Sequence, residues 1–366
     1  MIGVENDARH PEWDGFVRSV PGGDIDQSAP WARFRQAMGF ALRRIVARRG
    51  TAIVGGAQVF ARRVGPWRLA YVPYGPLTAP GASGELAAEL VGAIARGVDA
   101  VFVQPPARGE GIATALHAAR FAESDVRVAP SATLRLDVSR PIEDLERAAS
   151  RHVRGRIRRW ERIGVEVREG TRDDLDLLLE LHVRSAEHGG FTPVSRTYLE
   201  RLWDALAPDG HAWMLVGSVD GDPVAADLFS RFGGVVTGRV HGFDRASPHA
   251  KARVPAALVW AAIVRSHERG DRWLDFGGIS RPAAVALTEE RRDSPAVRTK
   301  HEFKLAFGGR PFLYPPPVEL VRDPALRAGL RLARSVRPAR RSMRRALGRM
   351  RMGVPWHRLG TLSARG

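Results

Sequence analysis

The sequence predicts an α/β (α+β) fold made of two consecutive units of similar size and order. Short apolar runs of strand length alternate with helical periodicity along most of the chain. The alternation restarts after a long helical stretch beginning near residue 142. At 366 residues and 44% apolar, the chain exceeds one typical domain and can bury two cores.

In chain order, residues 31–43 read as an amphipathic helix with Trp31, Phe34, Met38 and Leu42 on one face. Strands follow at 51–60 and 67–72, then a Pro-Tyr-Gly-Pro turn at 73–76 and a helix at 84–96. A short buried strand at 100–103, a helix at 111–121 and a strand at 133–138 complete the first half. The second half opens on one helix over 142–163, capped by Ser139 with Glu143 close behind. A strand at 165–167 and helices at 173–187 and 198–206 come next. Strands at 211–219 and 223–232 form a hairpin about Asp220-Gly221-Asp222. A strand at 235–243, a helix at 255–268 and a buried strand at 272–276 end the series. No residue-level repeat accompanies the restart.

No run approaches 18 consecutive apolar residues, and the first ten residues lack the apolar core of a secretory signal, so the expected location is the cytoplasm. The absence of cysteine excludes disulfides, thiolate metal sites and a cysteine nucleophile. The net charge is +17, and residues 319–366 hold thirteen Arg against Glu319 and Asp323, a local +11. A mildly basic body with a strongly basic tail suits a polyanion: nucleic acid, a phosphate-rich substrate or an anionic membrane. Helical periodicity at Leu326, Leu330, Ala333 and Val336 makes the tail an amphipathic helix or a solvated extension. Of 57 basic residues only Lys251, Lys300 and Lys304 are lysines. Against that background a retained lysine marks a place for a compact ammonium rather than a planar fork.

Five strings carry a further signal. They are Gln27-Ser28-Ala29-Pro30-Trp31 leading to Arg35, and Tyr71-Val72-Pro73-Tyr74-Gly75-Pro76. Next comes Thr133-Leu134-Arg135-Leu136-Asp137-Val138, with the Arg-rich run 151–162 and Gly164-Val165 behind it. Last are Trp273-Leu274-Asp275-Phe276-Gly277-Gly278-Ile279 and Glu302-Phe303-Lys304-Leu305-Ala306-Phe307-Gly308-Gly309. In this order, over roughly residues 15–315, they resemble the FemABX family of peptidoglycan aminoacyltransferases. The resemblance implies two tandem GNAT-like (acyl-CoA N-acyltransferase-like) domains without a coiled-coil arm. The first would span 1–140, completed by about 310–322, and the second 141–309, leaving 323–366 as a basic tail. It places the substrate cleft along the first domain and its interface.

The activity implied is transfer of an amino acid from aminoacyl-tRNA to the side-chain amine of a UDP-MurNAc-pentapeptide or lipid-linked precursor. The protein would act as a monomer without metal or cofactor, with the tail in peripheral contact with an anionic membrane. An aminoacyl ester is already activated, so the protein must stabilise the oxyanion formed on amine attack. Lys304 matches the family's Phe-Lys pair and is the expected cation, with Phe303 as a wall or backbone donor; a surface ion pair with Glu302 is the alternative. Arg35 stands where the family has a phosphate-binding lysine, with a solvated helix face as the alternative. Tyr74, Arg196 and Tyr198 are candidate substrate contacts, and Asp275 is either a substrate contact or a buried structural carboxylate. Arg154, Arg158 and Arg159 are candidate tRNA contacts on a helix that is otherwise a solvated one. Two positions depart from the family pattern. Gln104 replaces an acid before the proline, and His241 stands where an aromatic hydroxyl is expected, as a proton acceptor or as a satisfied structural histidine.

Three rival readings remain. Arg108-Gly-Glu-Gly111-Ile-Ala113 fits the pyrophosphate pattern of acetyl-CoA enzymes. A non-catalytic nucleic-acid binder would rely on the tail. A Fem-like transferase could also act on a peptide metabolite.

Overall fold

The computed structural model describes residues 2–5, 11–297 and 301–335; Lys300 and the basic sequence after Ser335 lie outside them. The chain divides into two compact units. One comprises Met1–Ser131 with Tyr314–Gly366, the other Ala132–Leu313.

The first unit is built on β1 (Ile2–Glu5), β2 (Ala41–Arg49), β3 (Ala52–Val64), β4 (Trp67–Pro73), β5 (Leu77–Thr78), β6 (Ala100–Gln104) and β7 (Ala122–Glu123). A late strand, Val318–Val321, inserts between β6 and β7, giving the order β1-β2-β3-β4-β6-late strand-β7, with β5 on β3. β4 and β6 run parallel, and the other pairings are antiparallel. The helix expected over 31–43 is Ala29–Ala37, and residues 41–49 are a strand instead. Gly39, at φ +82, turns the chain there. Pairing of the whole of β2 with β3 then overrides the helical periodicity. Arg44 is wholly buried in β2, donating to Gln58 Oε1 at 2.6 Å with its guanidinium over Trp13.

The second unit is continuous in sequence. It comprises β8 (Ala132–Asp137), β9 (Val165–Gly170), β10 (Ala212–Val219), β11 (Asp222–Phe232), β12 (Val235–Phe243), β13 (Trp273–Gly278) and β14 (Arg310–Leu313). Their order is β9-β10-β11-β12-β13-β8-β14, with β12 and β13 as the parallel pair. Position by position this repeats the first sheet, and β8 occupies the place that the late strand takes there. The strand near 133–138 therefore closes the second sheet, and the division falls at 131/132 rather than near 140.

The expected helix 142–163 is two helices, Ile142–Ala148 and Arg151–Ile157. Ala149 is extended and Ser150 caps the second helix, its hydroxyl accepting from Val153 N–H at 3.3 Å. Ser139 instead bonds Asp137. The hairpin turn is Asp220-Gly221, both at positive φ. The helix Val254–Glu268 lies on β10 and β11 over a core that includes Leu215, Phe229, Leu258 and Ile263. Among the described residues no helix is long and apolar enough to cross a membrane.

Candidate active site

The site begins where two parallel strands part. β12 pairs with β13 only at Val235–Thr237 against Trp273–Asp275. Beyond that, β12 carries an extra residue, Arg239, because Phe229 faces Gly238 while Leu228 faces Val240. β13 leaves its course at Gly277, φ +79. The splayed strands open a cavity of about 1070 Å³ within the second unit. Its lining includes His241, Asp275, Phe303 and Lys304, and also Arg156, Asp227, Gly238 and Arg253.

Lys304 sits on the short helix Glu302–Leu305, and its ammonium donates to Gly278 O at 3.1 Å rather than pairing with Glu302. Burial pushes its pKa below the usual lysine value, and the charge of Asp275 opposes that shift. One proton of the ammonium is engaged by a carbonyl, which leaves two to donate elsewhere. Phe303 is 48% exposed and meets Phe307 edge-on, so the ring forms a wall of the cavity. Asp275 is buried. Arg135 donates to it at 2.9 Å and Gly277 N–H at 2.8 Å, while the Arg135 guanidinium lies 3.8 Å from the Phe312 ring centre. Its oxygens are thus committed to holding the β13 turn, which favours the structural of its two expected roles.

Asp227 carries no signal in the sequence beyond being an acid in an apolar strand. The one-residue slip in β12 sets it directly opposite His241. Its buried carboxylate stands 3.1 Å from His241 Nδ1, while the imidazole is half exposed to the cavity. A ring held through Nδ1–H offers Nε2 as a proton acceptor. Gly238 makes room for that edge, since a Cβ there would stand 2.8 Å from Cε1 and 2.9 Å from Nε2. Behind it, His182 Nδ1–H donates to His241 O at 2.8 Å. Burial holds the His182 ring below the ordinary histidine range.

The remaining predicted residues lie elsewhere. Arg35 is 1% exposed, 4.1 Å from the Phe40 ring centre and 5.3 Å from that of Tyr71, with Nε and Nη2 unbonded among the described residues. It is therefore a core cation of the first unit rather than a solvated one, and closed to a phosphate in this conformation. Tyr74 is also buried there, donating to Pro130 O at 3.1 Å and packed 4.6 Å from the ring of Tyr314. Arg196 pairs with Asp176 and Glu200 at the start of the helix Arg196–Leu206. Tyr198 N–H donates to Ser195 Oγ at 3.1 Å within that cap. Neither residue lines the cavity.

Arg154 donates to Arg147 O and Ala149 O at 2.8 and 2.6 Å, and Arg158 and Arg159 are exposed. Their neighbour Arg156 is the one that reaches the cavity, its pKa lowered by burial and then by Arg253 and Arg159. Residues 108–113 open the helix Glu110–Ala118 of the first unit, after β6.

A family model described as an acetyltransferase (GNAT) domain matches residues 147–284, inside the second unit. The lipid II:glycine glycyltransferase of Staphylococcus saprophyticus is 27% identical over 233 residues, covering 59% of this chain and 56% of that protein. The chain thus spans about half the length of the curated relatives it matches. The crystal structure of FemX superposes with a TM-score of 0.75 at 18% identity, covering 89% of this chain and 99% of the other. A tandem GNAT protein from the clavulanic acid pathway gives 0.51 at 16% identity, over 88% and 99%.

Duplicated sheets, each with one parallel pair beside an antiparallel run, define a tandem GNAT-fold protein. Within that class, the chain is similar in sequence to the staphylococcal glycyltransferases and in fold to FemX.

Proposed function

We propose that the chain transfers an amino acid from aminoacyl-tRNA to the side-chain amine of a peptidoglycan precursor. The observation that carries this reading is one cavity lined by both a partly buried lysine and a carboxylate-held histidine. Acyl transfer from an activated ester to an amine is served by a cation for the developing oxyanion and a base for the amine proton, and these two groups supply them. The acceptor amine attacks the ester carbonyl, and Lys304 donates to the oxygen that becomes negative. His241 takes the proton that the new C–N bond releases, with Asp227 holding the ring. As the C–O ester bond breaks, His241 returns that proton to the departing ribose oxygen, leaving an amide and a deacylated tRNA. Arg156 and Arg253 suit the phosphates near the tRNA 3′ end, and the exposed Arg158 and Arg159 suit those further along. The name of the staphylococcal relative favours a lipid-linked acceptor and glycine as the amino acid moved.

The test mixes the protein with charged tRNA and UDP-MurNAc-pentapeptide or its lipid-linked form, with and without ribonuclease, and follows product mass. One aminoacyl residue should be added, and ribonuclease should abolish the product. A product made when acetyl-CoA replaces charged tRNA would overturn the reading in favour of acetyl transfer.

A further inference from the structure

The helix Pro324–Ser335 has one side fastened and one side bare. Asp323 Oδ1 accepts from Leu326 N–H at 2.6 Å and from Trp67 Nε1 at 3.1 Å. Leu326 is buried, and Arg327 donates to Val321 O. Arg334 donates to both oxygens of the buried Glu319 at 2.7 Å, and Ser124 bonds the same carboxylate. These contacts occupy both acids of residues 319–366.

On the other side Leu332 is 68% exposed, more than any other large apolar side chain among the described residues. Exposed Ala325, Ala328 and Gly329 line up with it at helical spacing, and exposed Arg331 borders the stripe. The 31 residues after Ser335 add nine Arg with no Asp or Glu, interspersed with Met343, Leu347, Met350 and Trp356.

We propose that this helix seats the protein on an anionic lipid bilayer. A bilayer rewards both features of the surface. The leucine enters the acyl boundary, and the guanidinium groups stay among lipid phosphates. RNA would reward the arginines, but an aliphatic side chain standing in water has no place on a phosphate backbone. The inference does not rest on the proposed reaction, and it is tested without turnover.

The full chain is sedimented with vesicles of phosphatidylglycerol in phosphatidylcholine and, separately, of phosphatidylcholine alone. Partition should favour the anionic vesicles and weaken as salt rises. Leu332→Asp, at an exposed position, should leave circular dichroism unchanged and reduce partition about tenfold or more. Equal partition to both vesicle types, or partition indifferent to Leu332→Asp in a folded protein, overturns the proposal. So does failure to sediment together with binding of an RNA oligonucleotide that falls in Arg331→Glu.

Discussion

The two sheets share one strand order, yet their parallel pairs are finished differently. In the first unit β4 and β6 pair at five positions, from Leu69–Ala100 to Pro73–Gln104, and Gly75 N–H extends the seam to Gln104 O at 3.2 Å. Gln27 Nε2 ties Pro73 O from beside it at 2.6 Å, and Tyr74 is buried just past the strand end. In the second unit the seam stops after three pairs, and a cavity follows. A closed seam makes a scaffold and an open one makes room for chemistry. The difference comes from a bulge and a glycine turn rather than from a change of fold.

The largest expected effect tests the scaffold itself. A fragment of residues 132–313 contains every strand of its sheet and should unfold cooperatively by circular dichroism. A fragment of residues 1–131 lacks the strand between β6 and β7 and should show no cooperative transition. Cooperative melting of the shorter fragment would show that the late strand is dispensable.

Next come the groups in the open seam. Lys304→Ala should lower turnover by about 10²-fold or more while the melting temperature stays near that of the parent. Lys304→Arg should restore little, since a planar fork does not fit where a compact ammonium stood. Because burial lowers the Lys304 pKa, the ammonium deprotonates below the ordinary lysine value as pH rises, so the alkaline limb of the rate profile should lie below 10.5. That limb should vanish in the alanine variant. Asp227→Asn should lower kcat by about 10-fold or more with little change in KM. An unaltered kcat would remove the histidine from proton transfer.

A pair of glycines sharpens the contrast. At Gly56, in the closed unit, a Cβ would stand 2.3 Å from Ile45 O and 2.7 Å from the Trp13 ring. Gly56→Ala should therefore destabilise that unit by about 1–3 kcal/mol, read in denaturant. At Gly238 a Cβ would crowd the far edge of the His241 ring, which can swing aside, and would stand at ordinary contact distance, 4.0 Å, from Asp275 O. Gly238→Ala should leave the unfolding midpoint almost unchanged and reduce turnover. Equal effects of both on stability would erase the distinction.

The smallest effect concerns a cap of the second unit. Asp174 pairs with Arg168 and accepts from Thr171 N–H at 2.8 Å, and Arg168 first of all holds its pKa at about 2. The folded carboxylate is depressed, so its stabilisation is complete above the unfolded value of 3.8 and is lost as pH falls through about 2. Asp174→Asn should flatten that part of the acid unfolding curve and cost under about 1 kcal/mol at neutral pH.

Much of the fold was legible because strands such as Val235–Phe243 and helices such as Val254–Glu268 carry their own periodicity. β2 was not, since its arginines and aliphatics continue the preceding helical pattern until Gly39 breaks it. In the site, Lys304 stood out through lysine scarcity and its neighbour Phe303. The partner of His241 could not be read. Counting back from the turn at Gly233-Gly234 sets Asp227 opposite Val240, and only the slip at Arg239 brings the imidazole across. Arg156 was passed over for the same kind of reason, because which arginine on a short helix faces a cavity depends on a break at Ala149.

The late strand also sets an order of events during synthesis. When Ser131 leaves the ribosome, the first sheet still lacks the strand that joins β7 to its centre, and that strand is translated nearly two hundred residues later. The C-terminal half of the pair, continuous in the message, can close while the N-terminal half waits. The usual sequence in which N-terminal domains mature first is reversed. For that interval the edge of β6 that Val318–Val321 later covers has no partner strand, and its backbone groups must be met by water.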